Sequence, residues 1–289
     1  MGRQLMKIEL AGESRSQWGE GPIWWQGALY FVDIEKHLVQ FYDPETGEEK
    51  SWNVGERVGT VVPRQGGGLV IAGDDGIAFL DPESGELERI VDPEPDKPDN
   101  RFNDGKCSPD GRFFAGTISL KKVPGDAALY RLDPDRELTK AFPGVTNSNG
   151  IVWSLDGKTV YYIDTPRLEV LAFDYNAETG ELSDDRVAFS TKEAVAASPD
   201  GMAIDAEGNL WIAFCHGSCV VCFDSSGKEL QRVELPCREV TAVAFGGADL
   251  ADLYITTGIP KDDVEEDAGR LFVVKGLGVK GVPAFAFGG

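Results

Sequence analysis

Histidine is almost missing from this 289-residue chain, which has two, and cysteine is sparse and odd in number, with five. Thiols at positions 107, 215, 219, 222 and 237 form no disulfide framework, which argues against a small secreted scaffold and fits reduced thiols in a cytoplasm. Cationic residues are few as well: 28 Lys and Arg face 49 Asp and Glu, a net charge of −21. Nucleic acids and anionic membranes both require Lys/Arg clusters, so neither is expected as a partner. Most of this negative charge reads as a solvated surface, and it is compatible with attracting divalent cations. No apolar run reaches the roughly 18 residues needed to span a bilayer, and the segment Met1 to Leu10 has no long apolar stretch of the signal-peptide kind. A soluble, cytoplasmic protein is the expectation. Helical periodicity is nearly absent too.

What the chain does have is a repeat. Six short strand signals recur as Leu29-Tyr30-Phe31-Val32-Asp33, Leu69 to Gly73, Phe113 to Thr117, Val160 to Asp164, Leu210 to Phe214 and Leu253 to Thr257. Their first residues lie 40, 44, 47, 50 and 43 apart, and most follow a turn pair such as Asp110-Gly111 or Asp156-Gly157. A further strand follows in each unit, often stopped by Asp-Pro, as in Val39 to Pro44 and Ile77 to Pro82. Four strands per 40 to 50 residues predicts an all-β, six-bladed β-propeller of four antiparallel strands per blade, filling residues 1–289 as one domain. The last unit lacks a fourth strand after Lys275. Lys7 to Leu10 can supply it and remove a free edge.

Another strand precedes the aligned one in each unit: Gly21–Trp25, Gly59–Arg64, Gly105–Ser108, Gly150–Ser154, Gly201–Asp205 and Thr241–Gly246. As the first strands of their blades, these should line the central channel. The residues at their mouths are Glu20, Val58, Asn103 with Asp104, Asn149, Asp200 and Val240. The polar run Asn100 to Lys106 is read the same way, as a cluster held where a strand begins. Glu20, Asn103, Asn149 and Asp200 lie 9, 10, 11 and 10 residues before the aligned strand. Equal phase in a rotational repeat means convergence on one axis. Carboxylates and amide carbonyls without His or Cys make a hard-oxygen set suited to Ca²⁺, Mg²⁺ or Mn²⁺. Without a cation, facing carboxylates push one another's pKa upward. By contrast, Asp43, Asp81, Asp110, Asp133, Asp156 and Asp205 read as ordinary turn caps.

Gly19-Glu20-Gly21-Pro22, Arg101-Phe102-Asn103-Asp104-Gly105-Lys106, Ala115-Gly116-Thr117, Ser148-Asn149-Gly150, Tyr162-Ile163-Asp164, Pro199-Asp200-Gly201-Met202 and Ala244-Phe245-Gly246-Gly247 cover nearly the whole chain. Together they resemble the SMP-30/gluconolactonase/luciferin-regenerating-enzyme family, which includes regucalcin and bacterial sugar lactonases. The resemblance implies a six-bladed propeller with one divalent metal held by Glu20, Asn149 and Asp200. Ca²⁺ is the first expectation, with Zn²⁺, Mg²⁺, Mn²⁺ and Fe²⁺ as exchangeable alternatives. It implies that Asn103 sits beside the metal and that Arg101 hydrogen-bonds a sugar lactone substrate. Asp200, able to combine metal contact with proton acceptance, is the expected general base.

Some features depart from the family pattern. Ile118 to Lys122 carries no acid where regucalcin has a substrate-contacting glutamate, and Trp18 stands where a smaller aliphatic is usual. The run from Cys215 to Cys222 holds His216 and three thiols; it reads as small buried thiols beside a loop histidine, with Cys219 and Cys222 on opposite faces of a strand. His37 and His216 both fall outside the channel phase, which disfavours a catalytic histidine pair. Three other functions compete: a non-catalytic Ca²⁺-binding regulator, a phosphotriesterase on the same scaffold, and a protein-interaction platform.

Overall fold

The computed structural model describes residues 5–262 and 265–289. Its 24 strands form six four-stranded antiparallel sheets, with no α-helix among the described residues. No helix there is long and apolar enough to cross a membrane. The innermost strands are Gly19–Trp25, Val58–Pro63, Asn100–Cys107, Ser148–Trp153, Ser198–Ile204 and Val240–Gly246, for blades 1 to 6 in order. Each touches the innermost strand on either side, so the sheets form a ring. Blade 6 is completed by Lys7–Arg15, which runs antiparallel to Arg270–Lys275 with Lys7 opposite Lys275 and Leu10 opposite Phe272. This strand runs past Leu10, across a bulge, to Arg15.

The apolar residues pack between blades. One cluster joins Val32 and Val39 of blade 1 to Val61 and Ile71 of blade 2, and another joins Leu129 of blade 3 to Leu171 and Phe173 of blade 4. Strands covered on both faces lose the polar alternation: Leu210–Cys215 and Cys219–Phe223 are buried at every position. Outer strands such as Glu229–Glu234 keep an exposed face. Burying a side chain as large as Leu or Phe contributes about 1.5–3 kcal/mol, so these layers hold the ring. Cys219 belongs to the layer shared with blade 4 and Cys222 to the layer shared with blade 6, on opposite faces as the spacing predicts. Val58 and Val240, the two apolar members of the channel series, pack into interblade layers.

The inner strands begin earlier than the sequence suggests. Asn100–Cys107 is itself a strand, and Glu20, Asn103, Asn149 and Asp200 lie within strands rather than at their mouths. The reason is a register break at nearly the same height in all six: between Glu20 and Ile23, Val58 and Thr60, Phe102 and Asp104, Asn149 and Ile151, Pro199 and Met202, and Val240 and Ala242. A bulge inserts an unpaired residue, interrupts the period-2 pattern and re-aims side chains. The strands also crowd here. A Cβ at Gly59 would fall 2.4 Å from the Asn103 carbonyl oxygen, and one at Gly201 would fall 2.3 Å from the Ala242 Cβ. Only glycine fits at these two points.

Beyond blade 6, the chain crosses the far end of the channel. Gly281 bridges to Asp205, Phe287 bridges to Arg64, and the Phe287 ring is fully buried between blades 2 and 3. An apolar cavity at that end is walled by Pro22, Trp24, Ile204, Val282 and Phe285.

Candidate functional site

At the opposite end lies a cavity of about 850 Å³, and Glu20, Arg101, Asn103, Asn149 and Asp200 all line it. Although they open on this cavity, all five are buried residues. They come from blades 1, 3, 4 and 5, so only a closed ring can assemble them.

Hydrogen bonds fix the two amides. Asn103 Nδ2 donates to the Ser148 carbonyl at 2.7 Å and to Asn149 Oδ1 at 3.0 Å. Its own Oδ1 accepts from Arg101 Nη1 at 2.9 Å, and the same nitrogen donates to the Phe102 carbonyl at 2.8 Å. Asn149 Nδ2 donates to Thr165 Oγ1 at 2.7 Å, and that hydroxyl donates to the Pro199 carbonyl at 2.9 Å. With its nitrogen tied back, Asn149 presents oxygen toward Asn103 and the cavity.

The acids are less satisfied. Glu20 Oε2 accepts the Gly21 N–H at 2.9 Å, and Asp200 lies within hydrogen-bonding reach of Glu20. Asp104 Oδ1 accepts the Gly105 N–H at 2.7 Å, whereas its buried Oδ2 has no partner. Burial, then the Asp104 charge, pushes Glu20 up to about 8 against the pull of Gly21, Arg101 and Lys106. Burial and the charges of Glu20 and Asp104 raise Asp200 as well, and burial raises Asp104. When no cation is present, both Glu20 and Asp200 therefore keep their protons to higher pH than ordinary carboxylates. Arg101 is brought down to about 10 by burial and by Arg57, and its Nε is unpartnered. Lys106 donates from Nζ to the Met202 carbonyl at 2.9 Å and offsets part of the negative charge.

This donor set fits a divalent cation. Two carboxylates and an oriented amide oxygen face one cavity, and the negative charge behind them is only partly compensated. The sequence placed Asp104 at the strand mouth without a role; the structure buries it where its charge acts on Glu20 and Asp200. The signal was the Asn-Asp-Gly order, which puts one more acid a single step past the bulge. Thr165 was missed because it lies on a short 3₁₀ turn, Thr165–Arg167, outside the repeat.

The cavity walls differ from expectation at one position. His216 lines this cavity beside Cys215, whereas channel phase alone puts it elsewhere. Trp18 is in the wall as expected, and Ile118, Ser119 and Lys122 bring no carboxylate. The acid there is Glu35, from blade 1. Among the expected turn caps, Asp43, Asp81, Asp156 and Asp205 do accept turn N–H groups. Asp110 and Asp133 pair with Arg112 instead, because that guanidinium lies between them.

Comparison with known proteins agrees with this architecture. The model of the SMP-30/Gluconolactonase/LRE-like region matches residues 18–259. A regucalcin of Danio rerio is 42% identical, covering 98% of this chain and 99% of its own. A solved luciferin-regenerating enzyme superposes with a TM-score of 0.91 at 32% identity, covering 98% of this chain and 99% of its own. A regucalcin from Agrobacterium tumefaciens, described as a calcium-binding protein, superposes with a TM-score of 0.89 at 27% identity, covering 96% and 97%. The chain belongs to the SMP-30/gluconolactonase/LRE-like family.

Proposed function

We propose that this protein is a divalent-metal-dependent hydrolase that opens a sugar lactone to its aldonic acid. The observation that carries the reading is the convergence of Glu20, Asn149 and Asp200 on one cavity, with Asp104 adding charge that nothing nearby fully offsets. The family's description names gluconolactonase, and a cavity of about 850 Å³ lies within the roughly 300–1,000 Å³ usual for small-molecule sites.

Glu20, Asn149 and Asp200 would hold the ion. Ca²⁺ is favoured by the all-oxygen donors, and the A. tumefaciens relative is described as calcium-binding. Once bound, the ion supplies Lewis acidity at the lactone carbonyl. Asp200 takes a proton from the attacking water as its oxygen bonds to the carbonyl carbon. The ring C–O bond then breaks, and the released ring oxygen takes the proton back from Asp200 to become a hydroxyl. Asn103 is held by Ser148 and Asn149 and so has a fixed orientation for substrate oxygen. Arg101, which lines the cavity beside Asn103, would bring its guanidinium to a substrate hydroxyl.

The test is acid release from a panel of sugar lactones, with chelation and single-metal add-back. Hydrolysis that chelator removes and one metal restores supports the reading. If no lactone is hydrolysed under any metal, the second reading takes over, a calcium-binding protein without turnover, which the naming of the relatives as regucalcins favours.

A further inference from the structure

Apart from the channel acids, one other set of ligating groups comes together among the described residues. Cys215, His216 and Glu239 bring a thiol, an imidazole and a carboxylate within 4.8 Å of one another. Cys215 ends a strand of blade 5, His216 opens the turn after it, and Glu239 immediately precedes the inner strand of blade 6. A β-bridge between Cys215 and Glu239 sets the pairing. Glu239 Oε2 lies 2.6 Å from His216 Nδ1 and 3.3 Å from Cys215 Sγ, while Sγ is 3.9 Å from His216 Nε2. The other oxygen of Glu239 accepts from Arg238 Nε at 3.1 Å, which fixes the carboxylate from behind. Glu239 and Cys215 are buried, and the His216 side chain is 58% exposed.

We propose that Cys215, His216 and Glu239 form a second metal site, at the rim of the cavity, for a borderline-soft divalent ion of the Zn²⁺ type. The donors are sulfur, nitrogen and oxygen, the mixture that zinc takes and calcium avoids. Metal–ligand bonds of about 2.0–2.3 Å in a tetrahedron set ligand atoms roughly 3.3–3.6 Å apart. The 3.3 Å between Cys215 Sγ and Glu239 Oε2 already fits; with Nε2 as the imidazole ligand, its 3.9 Å from Sγ has to close slightly and the ring has to turn from the Nδ1 contact with Glu239. The exposed ring of His216 can make that move. Binding releases the thiol proton to solvent, and the resulting thiolate and carboxylate charges balance a divalent ion. Three protein ligands leave a fourth position, on the side where Cys215 and His216 border the cavity shared with Asp200. Such an open position is the mark of an exchangeable or substrate-facing site rather than a closed structural one. Arg238 supplies the outer partner that such ligands commonly need. This site stands independently of lactone hydrolysis, since none of its three ligands belongs to the oxygen centre.

Cobalt is the probe, added with Ca²⁺ in excess to fill the oxygen site. One equivalent of Co²⁺ should give a thiolate-to-cobalt charge-transfer band in the near ultraviolet, and Zn²⁺ should erase it. Cys215→Ser should abolish the band. His216→Ala, at an exposed position that leaves the fold intact, should loosen Co²⁺ at least about tenfold, the scale set by losing even an outer partner. Asp200→Asn and Glu20→Gln should leave the band in place, which separates this site from the oxygen centre. Absence of the band in the unaltered protein, or its persistence in Cys215→Ser, overturns the assignment. So does a Co²⁺ affinity unchanged by His216→Ala, since the histidine would then not be a ligand.

Discussion

Two populations of acid occupy this molecule. On the outer turns, Asp43, Asp81, Asp156 and Asp224 reach solvent, and each is held below the usual carboxylate range by donors within a few residues of itself. Thr46 does this for Asp43, the Glu83 N–H for Asp81, Ser154 for Asp156 and Ser226 for Asp224. In the channel, Glu20, Asp104 and Asp200 are pushed the other way by burial, with Asp104 adding to the rise of Glu20, and Glu20 and Asp104 adding to that of Asp200. Both populations are carboxylic acids in or beside turns and bulges. What differs is where the donors come from. A turn acid is satisfied by its own loop, whereas a channel acid faces acids from other blades and needs something from outside the chain.

The largest break in that contrast should come from Asp200→Asn. It removes the proposed base and one ion ligand, and kcat for lactone hydrolysis should fall about 10²–10⁴-fold with weaker metal binding by calorimetry. Undiminished turnover in that variant would end the mechanism. Glu20→Gln should abolish Ca²⁺ binding at the oxygen centre.

Next comes pH. Glu20 titrates near 8 in the folded protein against an ordinary 4.5, so between those values the metal-free fold holds a proton that the unfolded chain has lost. Stability of chelated protein should therefore decline as pH rises from about 4.5 to about 8, and a saturating metal should flatten the decline. Melting curves with and without chelator across that range decide it. A flat chelated profile would mean the channel acids are not strained.

Smaller effects belong to the supporting groups. Thr165→Val removes the hydroxyl that holds Asn149 Nδ2 and should weaken metal binding about 10–100-fold, the range for outer partners. Arg101→Lys keeps the charge but loses the planar fork behind Asn103, and kcat/KM should drop roughly tenfold, about the worth of one charged hydrogen bond. At the bottom of the scale, Asp81→Asn should change neither turnover nor metal affinity, because its role ends within its own turn. A loss of activity there would erase the distinction between the two populations.

The six-fold repeat was legible because the strand signals recur at similar spacing, most of them after a turn pair, and the closing strand was legible from the missing fourth strand after Lys275. The channel residues could be listed but not positioned. Their bulges interrupt the period-2 pattern, so the strands seemed to begin at Gly21 or Gly105 instead of Gly19 and Asn100. Asp104 and His216 were misjudged for related reasons. One lies a step past the bulge, and the other belongs to a turn whose partner, Glu239, is supplied by the next blade. The strap at residues 281–287 is rich in Gly, Pro and Ala and carries no periodic signal, so its path to Arg64 came from the structure alone.

Pairing of Lys7–Arg15 with Arg270–Lys275 has a consequence for synthesis. A ribosome that has just added Asp200 has already made every residue proposed to grip the ion. Yet Glu20 and Asp200 cannot meet until a strand about 70 residues further on emerges and clasps the start of the chain. A chain cut before Arg270 would thus carry a full complement of ligands and should hold no ion.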